Sequence, residues 1–434
     1  MVAKAAALTG KSLETDEGRK SFFGRLSAGL ITGAADDDPS GIATYSQVGA
    51  AFGYSTLWAI LLTMPLMVAI QGVSAGIGRV TGHGLMDGIR RHHPKSLVYA
   101  LTTCILVANV INLAADIGAM GAALKLLVGG PALVYAAVFG LGSLLLQMFI
   151  PFSRYSPFLK VLTLSLFAYV ATVLVIHVPW GEVLKSIVRP AITWNAKYAV
   201  GLVALLGTTI SPYLFCWQAS QEVEEIRTSN EREPLNRAPH QAPDALRRIG
   251  VDTSTGMIFS NLIAFFIILT AAVVLHAHGK TDIQTSSDAA QALRPLAGKL
   301  AFALFAAGII GTGLLAVPVL AGATAYAASG AFAQRSGLQH KPQHAKFFYG
   351  VLIVATVIGF GLNLTPLDPI KALYWSAVIN GVAAVPLMVV MMWMSSRRKV
   401  MGEFTIPWAM KILGWLATLA MATATIVMFA TWGK

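Results

Sequence analysis

The chain has 434 residues, of which 56% are hydrophobic and only 12% charged, and its formal net charge is +12. A soluble domain carries about a quarter charged residues, so this composition excludes an ordinary water-soluble enzyme or binding module. The basic residues are scattered between long apolar runs and form no basic domain. That excludes a nucleic-acid partner and assigns the excess charge to membrane topology and contact with anionic lipid.

From the N-terminus, Met1 to Arg25 is polar and is not followed by a cleavage-site pattern, so 1–25 reads as a retained N-terminal segment. The rest, 26–434, reads as a single transmembrane domain. Eleven apolar segments follow, at roughly 27–48, 55–77, 98–124, 131–151, 160–179, 198–218, 252–276, 298–327, 346–363, 371–394 and 407–431. Each approaches the ~20 residues a helix needs to cross a bilayer. A β-barrel would show shorter, alternating segments, so the expected fold class is an all-α integral membrane protein. Loops are short except Glu222 to Arg248, which contains Pro234, Pro239 and Pro243 and reads as surface helix and coil. Cys104 and Cys216 fall inside apolar segments as small buried residues, with no disulfide framework or cysteine metal motif.

Orientation follows from the lysines and arginines. With the N-terminus cytoplasmic, 23 of the 32 lie inside and 9 outside. Eleven spans then carry the C-terminus to the other side.

The first and sixth segments are interrupted. The first contains Asp36-Asp37-Asp38-Pro39-Ser40-Gly41 and the sixth Gly207-Thr208-Thr209-Ile210-Ser211-Pro212-Tyr213. A proline inside a helix removes a donor and blocks the carbonyl four residues earlier. One such proline in a membrane helix is often only a kink. Two, five segments apart and with an acid at one of them, have a stronger meaning. Five is odd, so the second unit is inverted relative to the first, as in many secondary transporters. The expected organisation is a 5+5 inverted repeat, with repeat one about 26–180, repeat two about 197–395 and an extra helix about 406–431.

The breaks also carry the candidate chemistry. Unwound backbone at membrane depth is tolerated only where protein or a water-filled cavity satisfies it. Carbonyls around Ala35 and Gly207, the hydroxyls of Thr209 and Ser211 and the carboxylate of Asp38 are hard oxygen ligands, suited to Mg²⁺, Ca²⁺ or Mn²⁺. Pro39, Ser40, Gly41, Pro212 and Tyr213 form the breaks themselves. Asp36 and Asp37 read as vestibule or capping residues, because Asp38 alone abuts the proline. Asn112 and Asp116 share a helix face four residues apart, and an intramembrane acid must be paired or hydrated; with Gln218 they mark an aqueous or proton path. Asn261, Asn363 and Asn380 read as interhelical hydrogen bonds. The nine histidines lie in loops or at span ends, so none supplies a midplane proton relay.

At these residues the chain resembles the Nramp family of divalent metal transporters. Asp38-Pro39-Ser40-Gly41-Ile42-Ala43-Thr44 is similar to the family's DPGNxAT. Ser46-Gln47-Val48-Gly49, Phe52-Gly53-Tyr54 and Arg79-Val80-Thr81-Gly82 continue the likeness. Asn112-Leu113-Ala114-Ala115-Asp116-Ile117-Gly118 is similar to DLAEVIG, and Arg398-Lys399-Val400-Met401-Gly402 matches the stretch before the eleventh helix. The resemblance implies the leucine-transporter-like architecture. It also implies where this chain departs. Asp38 keeps the family's aspartate, but Gly41 stands for its asparagine and Ser211 for the methionine of MPH. Asn112 and Ala115 replace the acidic pair of the third helix, and Tyr213 and Gln218 replace histidines of the sixth. Losing the thioether removes the soft ligand that favours transition metals. The pattern is similar to the Nramp-related magnesium transporters, which lack proton coupling.

The reading is therefore a carrier or facilitator of divalent cations, Mg²⁺ or Mn²⁺ favoured, without proton coupling, in a bacterial plasma membrane. The rival is a carrier of a small organic solute: one carboxylate is few ligands for a metal, and helix N-termini at breaks bind carboxylates. A non-transporting sensor or scaffold comes third. An enzyme is disfavoured, since no nucleophile–base pair or metal-hydrolase motif appears, and no cofactor is expected.

Overall fold

The structure, a computed structural model, describes residues 32–33, 35–150, 154, 163–193, 195–229, 231–366 and 368–432. The N-terminal segment 1–25 and the starts of the first and fifth anticipated spans lie outside the described residues. Among those described every regular element is helical. The main helices are α1 (Pro39–Phe52), α2 (Leu57–Thr81), α3 (Leu85–His92), α4 (Lys95–Val128), α5 (Ala132–Phe149), α6 (Phe167–Val175), α7 (Trp180–Val188), α8 (Ala196–Thr209) and α9 (Pro212–Thr228). They continue with α10 (Ala242–Val274), α11 (Ala301–Ala331), α12 (Lys346–Leu362), α13 (Pro369–Ser395) and α14 (Trp408–Thr431). Eight helical stretches, some of them joining two elements, are long and apolar enough to cross a membrane, and Lys346–Leu362 is a shorter apolar helix. The chain is an integral membrane protein.

Both anticipated breaks are present, and both have the same construction. Each proline is the first residue of a new helix, where its missing N–H is not needed. Asp38 caps α1 from an extended backbone (φ −66°, ψ 171°), accepting from the Gly41 amide. Between α8 and α9, Ile210 (φ −122°, ψ 64°) and Ser211 (φ −83°, ψ 132°) leave the helical region. Prolines inside α2, α11 and α13 (Pro65, Pro318, Pro386) do not end those helices.

Small residues let the broken helices sit deep in the bundle. A Cβ on Gly207 would meet the Ala377 carbonyl oxygen at 2.1 Å, and one on Gly33 would meet the Gly256 carbonyl oxygen at 2.3 Å. In a membrane, where lipid is as apolar as leucine, such backbone approach is a main source of helix–helix affinity. The most extensive contact is between α4 and α11, while α1 lies against α10 and α13, and α9 against α2 and α11. The outward faces of α5, α6 and α14 are apolar and exposed, as a lipid-facing surface must be.

The described part of the fifth anticipated span, residues 164–175, ends at a bend, and α7 follows it at 113°, beyond the anticipated bounds of 160–179. Pro179 at the N-cap of α7 fits that turn. The segment Glu222–Arg248 is helix and coil, as expected, with part of it buried. α9 runs on to Thr228 and α10 starts at Ala242, and the short connection is pinned under α2. The Leu235 and Asn236 amides donate to the Arg79 and Val80 carbonyls, both at 3.2 Å, and Leu235 is fully buried.

Candidate functional site

Asp38 sits at the centre of a network of neutral donors. Its Oδ1 accepts from the Gly41 amide at 2.7 Å. Its Oδ2 accepts from Asn112 Nδ2 at 3.0 Å and lies 3.3 Å from the Tyr213 hydroxyl. Asn112 Oδ1 in turn accepts from Ser376 of α13 at 2.8 Å. The carboxylate thus touches the first break, α4 and the second break, and through Asn112 reaches α13. Ser376 carried no sequence signal, since an isolated serine in an apolar run reads as filler.

The remaining candidate ligands are at the breaks, each already engaged. The Ala35 carbonyl accepts from the Tyr213 hydroxyl at 2.8 Å. Ser211 Oγ lies 2.8 Å from the Gly207 carbonyl and 3.0 Å from that of Thr208; Thr209 Oγ1 lies 3.0 Å from the Leu205 carbonyl and 3.2 Å from that of Leu206. Each hydroxyl has one proton, and here it is committed to the preceding turn. Its lone pairs are left over, which is the polarity a cation needs. Gly41 faces the second break: a Cβ there would meet Thr208 Oγ1 at 3.2 Å and the Asp36 carbonyl oxygen at 3.3 Å.

Asp36 and Asp37 are neither vestibule nor capping residues. Both are buried, with 1% exposure each, and both turn to Ser260 of α10, whose Oγ lies 2.6 Å from Asp36 Oδ2 and 3.1 Å from Asp37 Oδ1. Sequence reading missed Ser260, which has no motif around it. The other oxygen of each carboxylate has no partner, and neither oxygen of buried Asp116 has one. Gln218 is buried, and its Oε1 accepts from the Thr32 hydroxyl, tying α9 to the residues before the first break. Asn261 and Asn363 do bridge helices, to Met67 Sδ at 3.4 Å and the Ala114 carbonyl at 2.8 Å, whereas Asn380 is buried with both polar atoms unpartnered.

Among the described residues no lysine or arginine pairs with Asp36, Asp37, Asp38 or Asp116. Four buried carboxyl groups without a basic partner are costly to keep charged in a low-dielectric interior, and each is relieved either by taking up a proton or by positive charge from outside the chain.

Residues 29–431 match the family model described as Natural resistance-associated macrophage protein-like, that is, Nramp. The chain belongs to the Nramp family. Among curated proteins it is similar to the divalent metal cation transporter MntH of Verminephrobacter eiseniae, 26% identical over 420 residues that cover 93% of this chain and 88% of that one. It is also similar to the protein of the same name from Xanthomonas campestris, 29% identical over 295 residues, 67% of this chain and 64% of that one. Among solved structures it resembles the Eremococcus coleocola manganese transporter, with TM-score 0.70, 18% identity and coverage of 94% and 85%. It also resembles MhsT in complex with L-phenylalanine, with TM-score 0.61, 12% identity and coverage of 93% and 98%. At such identities these structures speak to fold alone, and the fold is the leucine-transporter-like one, with helices one and six broken. The Nramp signature over α1 is therefore the part of the sequence that carried both family and architecture.

Proposed function

We propose that this Nramp protein moves divalent metal cations across the membrane through a site centred on Asp38, with Mg²⁺ or Mn²⁺ as its substrates. The observation that carries the reading is the Asp38 carboxylate itself. It is buried at a helix break, accepts from neutral donors, and has no basic partner among the described residues. Asp38 supplies the charge, and Ser211, Thr209 and the carbonyls of Ala35 and Gly207 supply neutral oxygens. The residues at the breaks offer no sulfur or imidazole, so the donor set is hard and suits Mg²⁺ or Mn²⁺ over softer ions. The names of the MntH relatives agree with divalent cargo.

In this reading transport is not coupled to protons. Asn112, Ala115, Tyr213 and Gln218 occupy the positions where the family resemblance would put titratable groups, and none of them changes charge near neutral pH. The N-terminus is cytoplasmic and the C-terminus outside, in a bacterial plasma membrane, as the 23 to 9 partition of basic residues favours. The repeats run over about 26–180 and 197–395, and the last helix, about 406–431, is outside them. The rival, a small organic solute, shares the fold. Isothermal titration with Mg²⁺ and Mn²⁺ separates the two: saturable binding lost in Asp38→Asn supports the metal, whereas metal-insensitive solute flux in liposomes would replace it.

A further inference from the structure

Away from the breaks, a cavity of about 510 Å³ opens where α2, α3, α9 and α11 end. By the partition of basic residues this is the cytoplasmic end. One wall is a single face of α9, with Ser220, Val223, Glu224 and Arg227 at helical spacing. Four arginines line it: Arg90 and Arg91 of α3, Arg227 of α9 and Arg335 beyond α11.

Its two carboxylates are already spent. Asp87 is contacted by His83 Nδ1 at 3.0 Å and Arg91 Nε at 3.1 Å, and by Arg90. Burial alone would raise its carboxyl, but the hydrogen bonds from His83 and Arg90 and the charge of Arg91 outweigh it and hold the group below the usual carboxylate range. Glu224 Oε1 accepts from the Leu338 amide at 2.8 Å and from the Tyr326 hydroxyl. Arg227 spends one nitrogen on the Ser336 carbonyl, at 2.9 Å, and Arg335 makes no ion pair among the described residues. Ser329 of α11 borders the cavity; it is fully buried and its hydroxyl has no hydrogen-bond partner among the described residues.

We propose that this cavity is a phosphate-binding site, held by Arg227 and Arg335. Guanidinium forks match phosphate oxygens in pairs. The size lies in the range of ligand pockets, about 300–1,000 Å³. The same charge argues against a cation path, because four guanidinium groups repel a divalent ion. The phosphate belongs to a soluble anion or to a lipid headgroup; the chemistry is shared. The consequence reaches the cation site. α9 carries Tyr213 near its start and Arg227 near its end and is already tied to the segment after α11 through Ser336 and Leu338, so a phosphate joining Arg227 to Arg335 reinforces that tie. That biases the position of the helix forming half of the second break.

The test is isothermal titration of the purified full-length protein with inorganic pyrophosphate in metal-free buffer. A parallel arm uses native mass spectrometry of protein from cardiolipin-containing nanodiscs. The expected result is saturable pyrophosphate binding, or retained cardiolipin, weakened at least tenfold in Arg227→Gln with Arg335→Gln. The first outcome assigns the phosphate to a soluble anion, the second to lipid, and both support the site. Arg335→Lys should weaken the same ligand less than Arg335→Gln. If the double variant does not fold, the exposed Arg335→Gln alone decides, with a weaker but measurable loss. Absence of both ligands, or binding unchanged in folded variants, overturns the proposal.

Discussion

The Tyr213 hydroxyl stands between two oxygens of the first break, 2.8 Å from the Ala35 carbonyl and 3.3 Å from Asp38 Oδ2. It carries one proton, so it cannot fully satisfy both. The shorter contact places that proton on Ala35, leaving Asp38 Oδ2 to Asn112. A cation that uses Ala35 competes with this hydroxyl for the carbonyl's electron density. Tyr213 is therefore a competitor for a ligand as well as a wall of the site.

Tyr213→Phe is expected to tighten Mg²⁺ or Mn²⁺ binding. A net hydrogen bond of about 0.5–1.5 kcal/mol no longer opposes the ion, which corresponds to roughly a 2- to 10-fold lower Kd. Isothermal titration reads this directly. Weaker binding in the phenylalanine variant would mean that the hydroxyl itself serves the ion.

Asp38→Asn should lower affinity at least ~100-fold, about 2.7 kcal/mol, because it removes the one formal charge among the ligands. The amide also cannot replace the carboxylate as acceptor for both Gly41 and Asn112. Wild-type affinity in this variant sinks the assignment, whatever the state of the other residues.

Gly41→Asn with Ser211→Met restores the oxygen and the thioether that the family resemblance puts at these positions. The ratio of Mn²⁺ or Cd²⁺ to Mg²⁺ affinity should rise in competition assays. Thr208 Oγ1 and the Asp36 carbonyl lie 3.2 and 3.3 Å from where the new Cβ must go, so the second break has to yield by a few tenths of an ångström. An unchanged ratio in a folded variant would show that these positions do not face the ion.

Transport is expected to leave the pH of the receiving side unchanged. Proteoliposomes with a trapped pH dye and an imposed Mn²⁺ gradient test this. Asp116 is the candidate exception, a buried acid on α4 one turn from Asn112, with both oxygens unpartnered. Metal-dependent acidification that disappears in Asp116→Asn would make Asp116 the proton site.

The architecture was legible in the sequence because its signals are long and redundant. Apolar runs give the spans, and two prolines with an acid give the breaks. The site was legible only in part. Asp38 announces itself by abutting Pro39, but its partners come from distant segments. Asn112 donates directly to Asp38, and Gln218 bonds Thr32, contacts that no spacing in the sequence announces. Ser260 and Ser376 are single hydroxyls in apolar helices, and only packing reveals that they meet Asp36, Asp37 and Asn112. The angle between residues 164–175 and α7 leaves no trace in the sequence, because hydropathy does not record direction.

An anomalous-difference map from Mn²⁺-soaked crystals tests the central proposal most directly. The expected result is a single strong peak between the two breaks, within ~2.0–2.3 Å of an Asp38 carboxylate oxygen, with the Tyr213 hydroxyl turned away from Ala35. A peak elsewhere with the Asp38–Asn112 contact intact, or no peak at saturating Mn²⁺ and an Mg²⁺ titration without heat, would contradict it.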